Sequence, residues 1–151
     1  MRLPGTTPAA PDDGGAADPR LLAALAGDDA SRVSVAMLSV RLLVPVVALP
    51  VAGGDAEMAV PALVAGDGRR ALPVFSSYDA LRAWRADARP VPMPGARVVA
   101  GAVAESYDGV VLDVAGPRPH TVSGAELETL GRAAAAMIAN PEAGVEILPD
   151  C

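Results

Sequence analysis

RLLVPVVALP, residues 41–50, sets the architecture of this chain. From Leu42 to Leu49 it is apolar without a break, and it closes on Pro50 and the turn signal Gly53-Gly54-Asp55. Such a run reads as a β-strand buried on both faces, with Pro45 confining it to an edge or a bulge. The wider stretch 33–52 has about the length of a membrane span. Arg41 near its middle costs about 2.5–3.5 kcal/mol on insertion, and Pro45 and Pro50 break its second half, so no membrane association is expected. Residues 58–64 read as a second strand, Ala65-Gly66-Asp67-Gly68 as a hairpin turn and residues 69–75 as a third strand, which predicts three consecutive antiparallel strands.

On the N-terminal side, residues 1–17 hold Pro, Gly, Ala, Thr and Asp with Leu3 as their one large aliphatic residue, and read as a disordered tail. Asp18-Pro19 then has the form of an N-cap followed by proline in the first turn, with Leu21, Leu22 and Leu25 on one face before Gly27. Ser31 is expected to cap a second helix over 32–41, in which Val33, Met37 and Val40 recur at helical spacing. On the C-terminal side Ser76 and Ser77 can cap a helix running to Arg85, with Leu81 and Trp84 on one side and Arg82 and Arg85 on the other. An extended piece with alternate prolines (89–93) leads to a helix over 95–106 that buries Val98, Val99, Ala102 and Val103. Residues 109–114 form an interior strand, and His120-Thr121-Val122 a short partner. Ser123 through Glu126 has capping-box form ahead of the stripe Leu127, Leu130, Ala134, Met137 and Ile138. That helix closes near Asn140-Pro141, and residues 145–148 offer a last strand. The expected fold is therefore α+β (or α/β): a single domain with a mixed sheet of about five strands, two N-terminal helices, and helices packed on the sheet.

A chain of 151 residues is one domain's worth of core. Hydrophobic residues make up 52% and aromatics only 3%, so that core must be built from small aliphatic side chains. All basic residues are Arg, and the net charge of -6 with a pI of about 4.6 repels a phosphate backbone, which argues against nucleic acid as a ligand. A single cysteine, Cys151, permits no internal disulfide, and residues 1–5 lack the apolar core of a secretory signal, so a cytoplasmic location is expected.

The segments RLLVPVVA (41–48), GRRALPVFSSYDALRAW (68–84), RPVPMPGAR (89–97) and GVVLDVAGPRPHTVSG (109–124), taken together, resemble the SseB family, in the N-terminal-domain type and the compact single-domain form of actinobacteria. The resemblance covers residues 18–139 and leaves the tails 1–17 and 140–151 outside it. It implies an α/β domain with no established catalytic residue and no cofactor.

Candidate chemistry is sparse. His120 is the sole histidine, and with Asp113 and Ser76, Ser77 or Ser123 it offers a Ser-His-Asp set on paper, yet G-x-S-x-G is missing and these serines stand where helix caps are wanted. One His and one terminal Cys make no structural zinc site, and no metal or cofactor is expected. The absence of Lys removes the P-loop anchor and Schiff-base chemistry. The most informative feature is Arg69 and Arg70 leading along a strand to Phe75, Ser76, Ser77 and Tyr78, where a capped helix entry with nearby Arg favours an anion or an acidic peptide. Phe75, Tyr78 and Trp84 hold most of the aromatic area, as core anchors or as a partner patch. Asp113 is a polar intruder in an apolar strand, expected near its end and bonded to the following turn. The expected function is a non-enzymatic protein- or peptide-interaction module using a sheet edge or the surface from Arg69 to Trp84. The alternatives are a small hydrolase or transferase using Asp113 and His120, and a structural domain that self-associates as a homodimer through a Val-rich edge.

Overall fold

The computed structural model describes residues 13–50, 53–54 and 56–140. The expected strand at 145–148 and Cys151 lie outside them. Asp18 caps α1 (Pro19–Ala26) by accepting from the Arg20 amide at 2.8 Å. Asp29, rather than Ser31, caps α2 (Ala30–Ser39), its side chain accepting from the Ser31 amide at 2.9 Å. A carboxylate two residues upstream of the serine wins because it accepts a charge-assisted bond. The helix gives way at Val40, already extended, so Arg41 opens the strand instead of closing the helix.

β1 (Arg41–Pro50) pairs antiparallel with β5 (Arg89–Pro94) over residues 41–46 and with β2 (Ala56–Ala59) over residues 47–50. Pro94, Pro92 and Pro90 stand opposite Arg41, Leu43 and Pro45. Antiparallel pairs alternate between bonded and non-bonded, and proline has no N–H to give, so these three must be the non-bonded pairs. The backbone groups of Leu43 are thereby turned to the opposite edge of β1, where they exchange bonds with Phe75 at 2.8 and 2.9 Å. On that same edge Pro45 stands between the Phe75 bridge and the β2 ladder, which begins at Val47. Pro45 therefore needs neither a bulge nor an edge strand: β1 is central in the sheet β2-β1-β5, and the proline falls where its partner changes.

The second sheet has the order β3-β4-β6-β7, built from β3 (Leu63–Val64), β4 (Arg70–Val74), β6 (Gly109–Leu112) and β7 (His120–Ser123). The strand expected over 58–64 is split, because Val60-Pro61-Ala62 interrupts it and hands β3 to the other sheet. The expected three-strand meander is thus two hairpins in two sheets, and the described residues hold seven strands rather than about five. β4 and β6 run parallel, which needs a crossover connection, supplied here by α3 (Tyr78–Trp84), β5 and α4 (Gly95–Ala104). The result is an α+β single domain with α5 (Gly124–Ala139) packed on α4 and the sheet.

The main core joins Leu21, Met37, Leu42, Val44, Leu72, Val74, Val98, Val110 and Leu112, all buried. α4 ends before Ser106, and Val103, expected inside, is partly exposed. None of the described helices is long and apolar enough to cross a membrane.

α4 begins hard against the last turn of α2. The Gly95 amide donates to the Val40 carbonyl at 2.8 Å, and a Cβ at Gly95 would overlap the Met37 carbonyl oxygen. Backbone cannot yield as a side chain can, so Gly95→Ala should cost about 1–3 kcal/mol. Gly131→Ala meets only the part-exposed Val103 side chain and should change stability by less than about 1 kcal/mol. Urea midpoints of the two variants check this.

Candidate functional site

β4 delivers Leu72 and Val74 to the core and exits through Phe75, fully buried, into the turn Ser76-Ser77 before α3. The two serines divide the work. Ser77 caps, its Oγ accepting from the Ala80 amide at 3.1 Å. Ser76 is buried, its amide donating to Asp113 Oδ1 at 2.8 Å and its hydroxyl to Asp113 Oδ2 at 2.6 Å. Asp113 lies just past β6 at a φ of 53°, a left-handed position that aspartate tolerates better than most residues. Its side chain therefore serves a partner 37 residues away instead of the following turn. Both carboxylate oxygens are committed to Ser76.

Above this pair sits Arg41. Its Nη1 donates to the Ser76 carbonyl at 2.9 Å, and its Nη2 donates to Asp13 Oδ1 at 2.9 Å and to the Ala16 carbonyl at 2.7 Å. Residues 13–17, part of the stretch read from composition as a tail, are thereby held against the domain. The Gly15 carbonyl accepts from the Tyr78 amide at 2.9 Å, and the Gly15 amide donates to Asp13 Oδ1 at 2.9 Å. Gly15 has a φ of 85° and lies so close to the Tyr78 ring that a Cβ would overlap it. Burial pushes the Asp13 carboxyl up, but the Gly15 amide and the Arg41 guanidinium outweigh it and hold the group below its ordinary value of 3.8.

Of the aromatic residues singled out in the sequence, Phe75 and Trp84 stack with ring centroids 5.5 Å apart, over a small core of Leu43, Val47, Leu81 and Ala88. Tyr78 packs half-buried on the same group, with the Arg82 guanidinium over its ring. Arg69 and Arg70 stand at the other end of β4. Extended chain advances about 3.3 Å per residue, so some ~20 Å separates Arg70 from Ser76 and the two are not one site. Arg69 pairs with Asp67 in the turn at 2.8 Å. Arg70 lies over the Tyr107 ring at 4.7 Å and donates to the Glu105 carbonyl at 3.0 Å. The arginine that meets the helix entry is Arg41. Its only sequence signal is a charge opening an apolar strand.

His120 pairs with Leu112 at the end of the β6–β7 ladder and Asp113 is the next residue of the chain, but His120 and Asp113 serve different serines. Ser34, buried on α2, donates its hydroxyl to Glu126 Oε2 at 2.9 Å and lies 2.9 Å from His120 Nε2. With its one hydrogen directed at Glu126, the Ser34 oxygen takes the His120 Nε2–H. A nucleophilic triad needs the reverse order, with the carboxylate on the imidazole and the imidazole on the serine. Glu126 is thus not the partner of a capping box; α5 starts with no side-chain bond from Ser123. Among the described residues no cluster of His, Cys, Asp and Glu is arranged to hold a metal ion.

The remaining feature is apolar. Where β5 stops opposite Val46, β1 continues with β2 as a two-stranded ribbon. Cross-strand partners share a face, so Leu49 with Glu57 faces one way and Ala48 with Met58 the other. Leu49 is 44% and Met58 48% exposed, so both faces of the ribbon meet solvent, and Val64 on β3 is exposed as well.

The family model for the SseB protein N-terminal domain matches residues 19–129. The chain belongs to this family. No curated protein and no solved structure matches it. The SseB-matched segment contains Arg41, the Ser76–Asp113 pair, the Ser34–His120–Glu126 relay and the ribbon, and it begins after residues 13–16.

Two outcomes follow from the polar clusters. Asp113→Ala removes both acceptors of a buried serine and should destabilise the fold by about 2–3 kcal/mol in urea unfolding, more than Ser76→Ala. Burial holds the His120 imidazole below 6.5, against the opposing pull of Glu126. As pH falls through about 6.5 the unfolded chain takes up this proton first, so stability is full above that value and declines below it. Thermal unfolding at pH 7.5 and pH 5.5 should register the decline, and His120→Gln should reduce it.

Proposed function

We propose that this SseB-type domain is a non-enzymatic protein-interaction module that takes an extended segment of a partner along the outer edge of β2. The observation that carries the reading is the contrast between the two edges of the sheet β2-β1-β5. On β5 the outward positions are Pro90, Pro92 and Pro94, which offer no donor to an incoming strand. On β2 the bonded pairs with β1 are Val47 with Ala59 and Leu49 with Glu57, so the Met58 N–H and carbonyl point outward. Among the described residues no strand pairs with that edge. An added strand gains main-chain bonds there and buries the exposed side chain of Met58, the usual division of affinity and specificity in strand addition.

Two further considerations support this reading over the alternatives. The acid–base candidates Asp113 and His120 are spent on separate serines, which speaks against their joint use in hydrolysis or transfer. Of the two surfaces the sequence offers, the stretch Arg69 to Trp84 has Phe75 and Ser76 buried, Ser77 capping α3 and Arg70 laid over Tyr107, whereas among the described residues no strand pairs with the β2 edge.

Met58→Pro separates the possibilities, because it deletes an outward N–H and leaves the β1 ladder intact. A partner recovered from cells should bind this variant at least about tenfold more weakly, a loss of about 1.4 kcal/mol. It should protect the Met58 amide of the parent from hydrogen exchange, and should bind Arg69→Glu/Arg70→Glu as it binds the parent. Undiminished binding by Met58→Pro removes the edge from consideration. Concentration-dependent dimerisation of the parent, abolished in Met58→Pro, makes a second copy of the chain the occupant.

A further inference from the structure

Away from the ribbon, residues 13–16 are held as an extended ligand would be held, and the geometry points to a second recognition site, for an acidic peptide, that the chain occupies with its own N-terminal segment. Each contact is of a kind a peptide in trans can reproduce. The Asp13 carboxylate meets the Arg41 guanidinium at 2.9 Å, with 10% and 24% of the two side chains exposed. Two main-chain carbonyls are read, that of Gly15 by the Tyr78 amide and that of Ala16 by Arg41. Gly15 sits against the Tyr78 ring in a left-handed conformation and leaves no room for a side chain. The site therefore specifies a carboxylate, any residue, and then glycine. Arg41 supplies the charge; the seven-residue α3 contributes only one amide.

The receptor half is built and the ligand half is loosely attached. Arg41 is fixed from beneath by the Ser76 carbonyl, and Ser76 is fixed in turn by both oxygens of Asp113, so the guanidinium stays aimed when the segment leaves. The segment itself has Gly14 and Ala16 exposed, and Gly15 is its buried residue. A piece that buries so little apolar surface opens at low free energy. Opening takes the acceptors from Arg41 Nη2 and from the Tyr78 amide, and an incoming Asp-x-Gly segment restores them. The N-terminal segment thus acts as a built-in competitor, at an effective concentration on the order of millimolar. This site shares no residue with the β2 edge, so either can fail without the other.

The test uses the full chain with the segment disabled, as Asp13→Ala and as Asp13→Ala/Gly15→Val, and a fluorescent peptide of residues 9–18 read by anisotropy. Both variants should bind the peptide at least about tenfold more tightly than the parent, because the competitor in cis is gone. Peptides carrying Asp13→Ala or Gly15→Val should lose at least about tenfold, as should the disabled chain carrying Arg41→Gln. The peptide substitutions leave the protein untouched, so they decide the matter even where Arg41→Gln lowers stability. Equal binding by parent and disabled chains, no binding by the disabled chains at millimolar peptide, or indifference to the peptide's Asp13 and Gly15 would each overturn the proposal.

Discussion

Three alternate prolines in β5 impose a polarity on the strand they pair with, and the fold is arranged around that polarity. Because Pro90, Pro92 and Pro94 have no N–H to exchange, β1 bonds to β5 through Leu42, Val44 and Val46, and the backbone of Leu43 must look elsewhere. It finds Phe75, at the exit of β4, and that bridge is where the two sheets meet. The register is strongly specified, since a slip by one residue would set prolines against the bonding positions of β1 and turn its buried side chains over. Pro45 obeys the same rule from within β1. It stands where the outer edge passes from one partner to the next, so the missing donor is needed by neither.

From the bridge outward, a chain of polar contacts carries the position of the sheet to the surface. Phe75 fixes where β4 ends, and the next residue, Ser76, is clamped by Asp113 from the end of β6. The Ser76 carbonyl then orients Arg41, which belongs to the first residue of β1 and so returns to the strand where the chain of contacts began. A guanidinium at the mouth of an apolar strand would ordinarily be a mobile surface charge. Here it is locked on one side and presents its second nitrogen to the N-terminal segment.

How far this was legible in the sequence depends on the range of the interaction. Helix starts marked by Asp18-Pro19 and Ser77 act within a few residues, and they were readable. The family could be read from RLLVPVVA, LPVFSSYDALRAW and GVVLDV, which lie in the matched segment. The local signal of a capping box at Ser123 yields to a long-range contact, because Glu126 accepts from the buried hydroxyl of Ser34 on α2. The pairing of Asp113 with Ser76 and of Arg41 with Asp13 spans 37 and 28 residues, and no periodicity marks either. Arg69 and Arg70 lead in sequence to the helix entry at Ser76 and Ser77, yet what matters at a site is distance in space, and an extended strand puts them far from that entry.

The way charge is distributed bears on what kind of recognition this domain can support. With -6 overall, the surface opposes acidic segments in general, so the proposed acidic peptide depends on the one arginine that is preset, Arg41. At the proposed Arg41 site, affinity would come from one part-buried pair and two main-chain bonds, and the field around it opposes any looser mode of binding. The β2 edge has the opposite character, with main-chain groups and apolar side chains that exclude few partners by charge. Both proposed surfaces are built on β1, which carries Arg41 at its first residue and the ribbon at its last four. Along β1 the Leu43–Phe75 bridge stands between the ribbon and the arginine. The same proline-imposed polarity that joins the sheets therefore also fixes the stretch of β1 that lies between Arg41 and the ribbon.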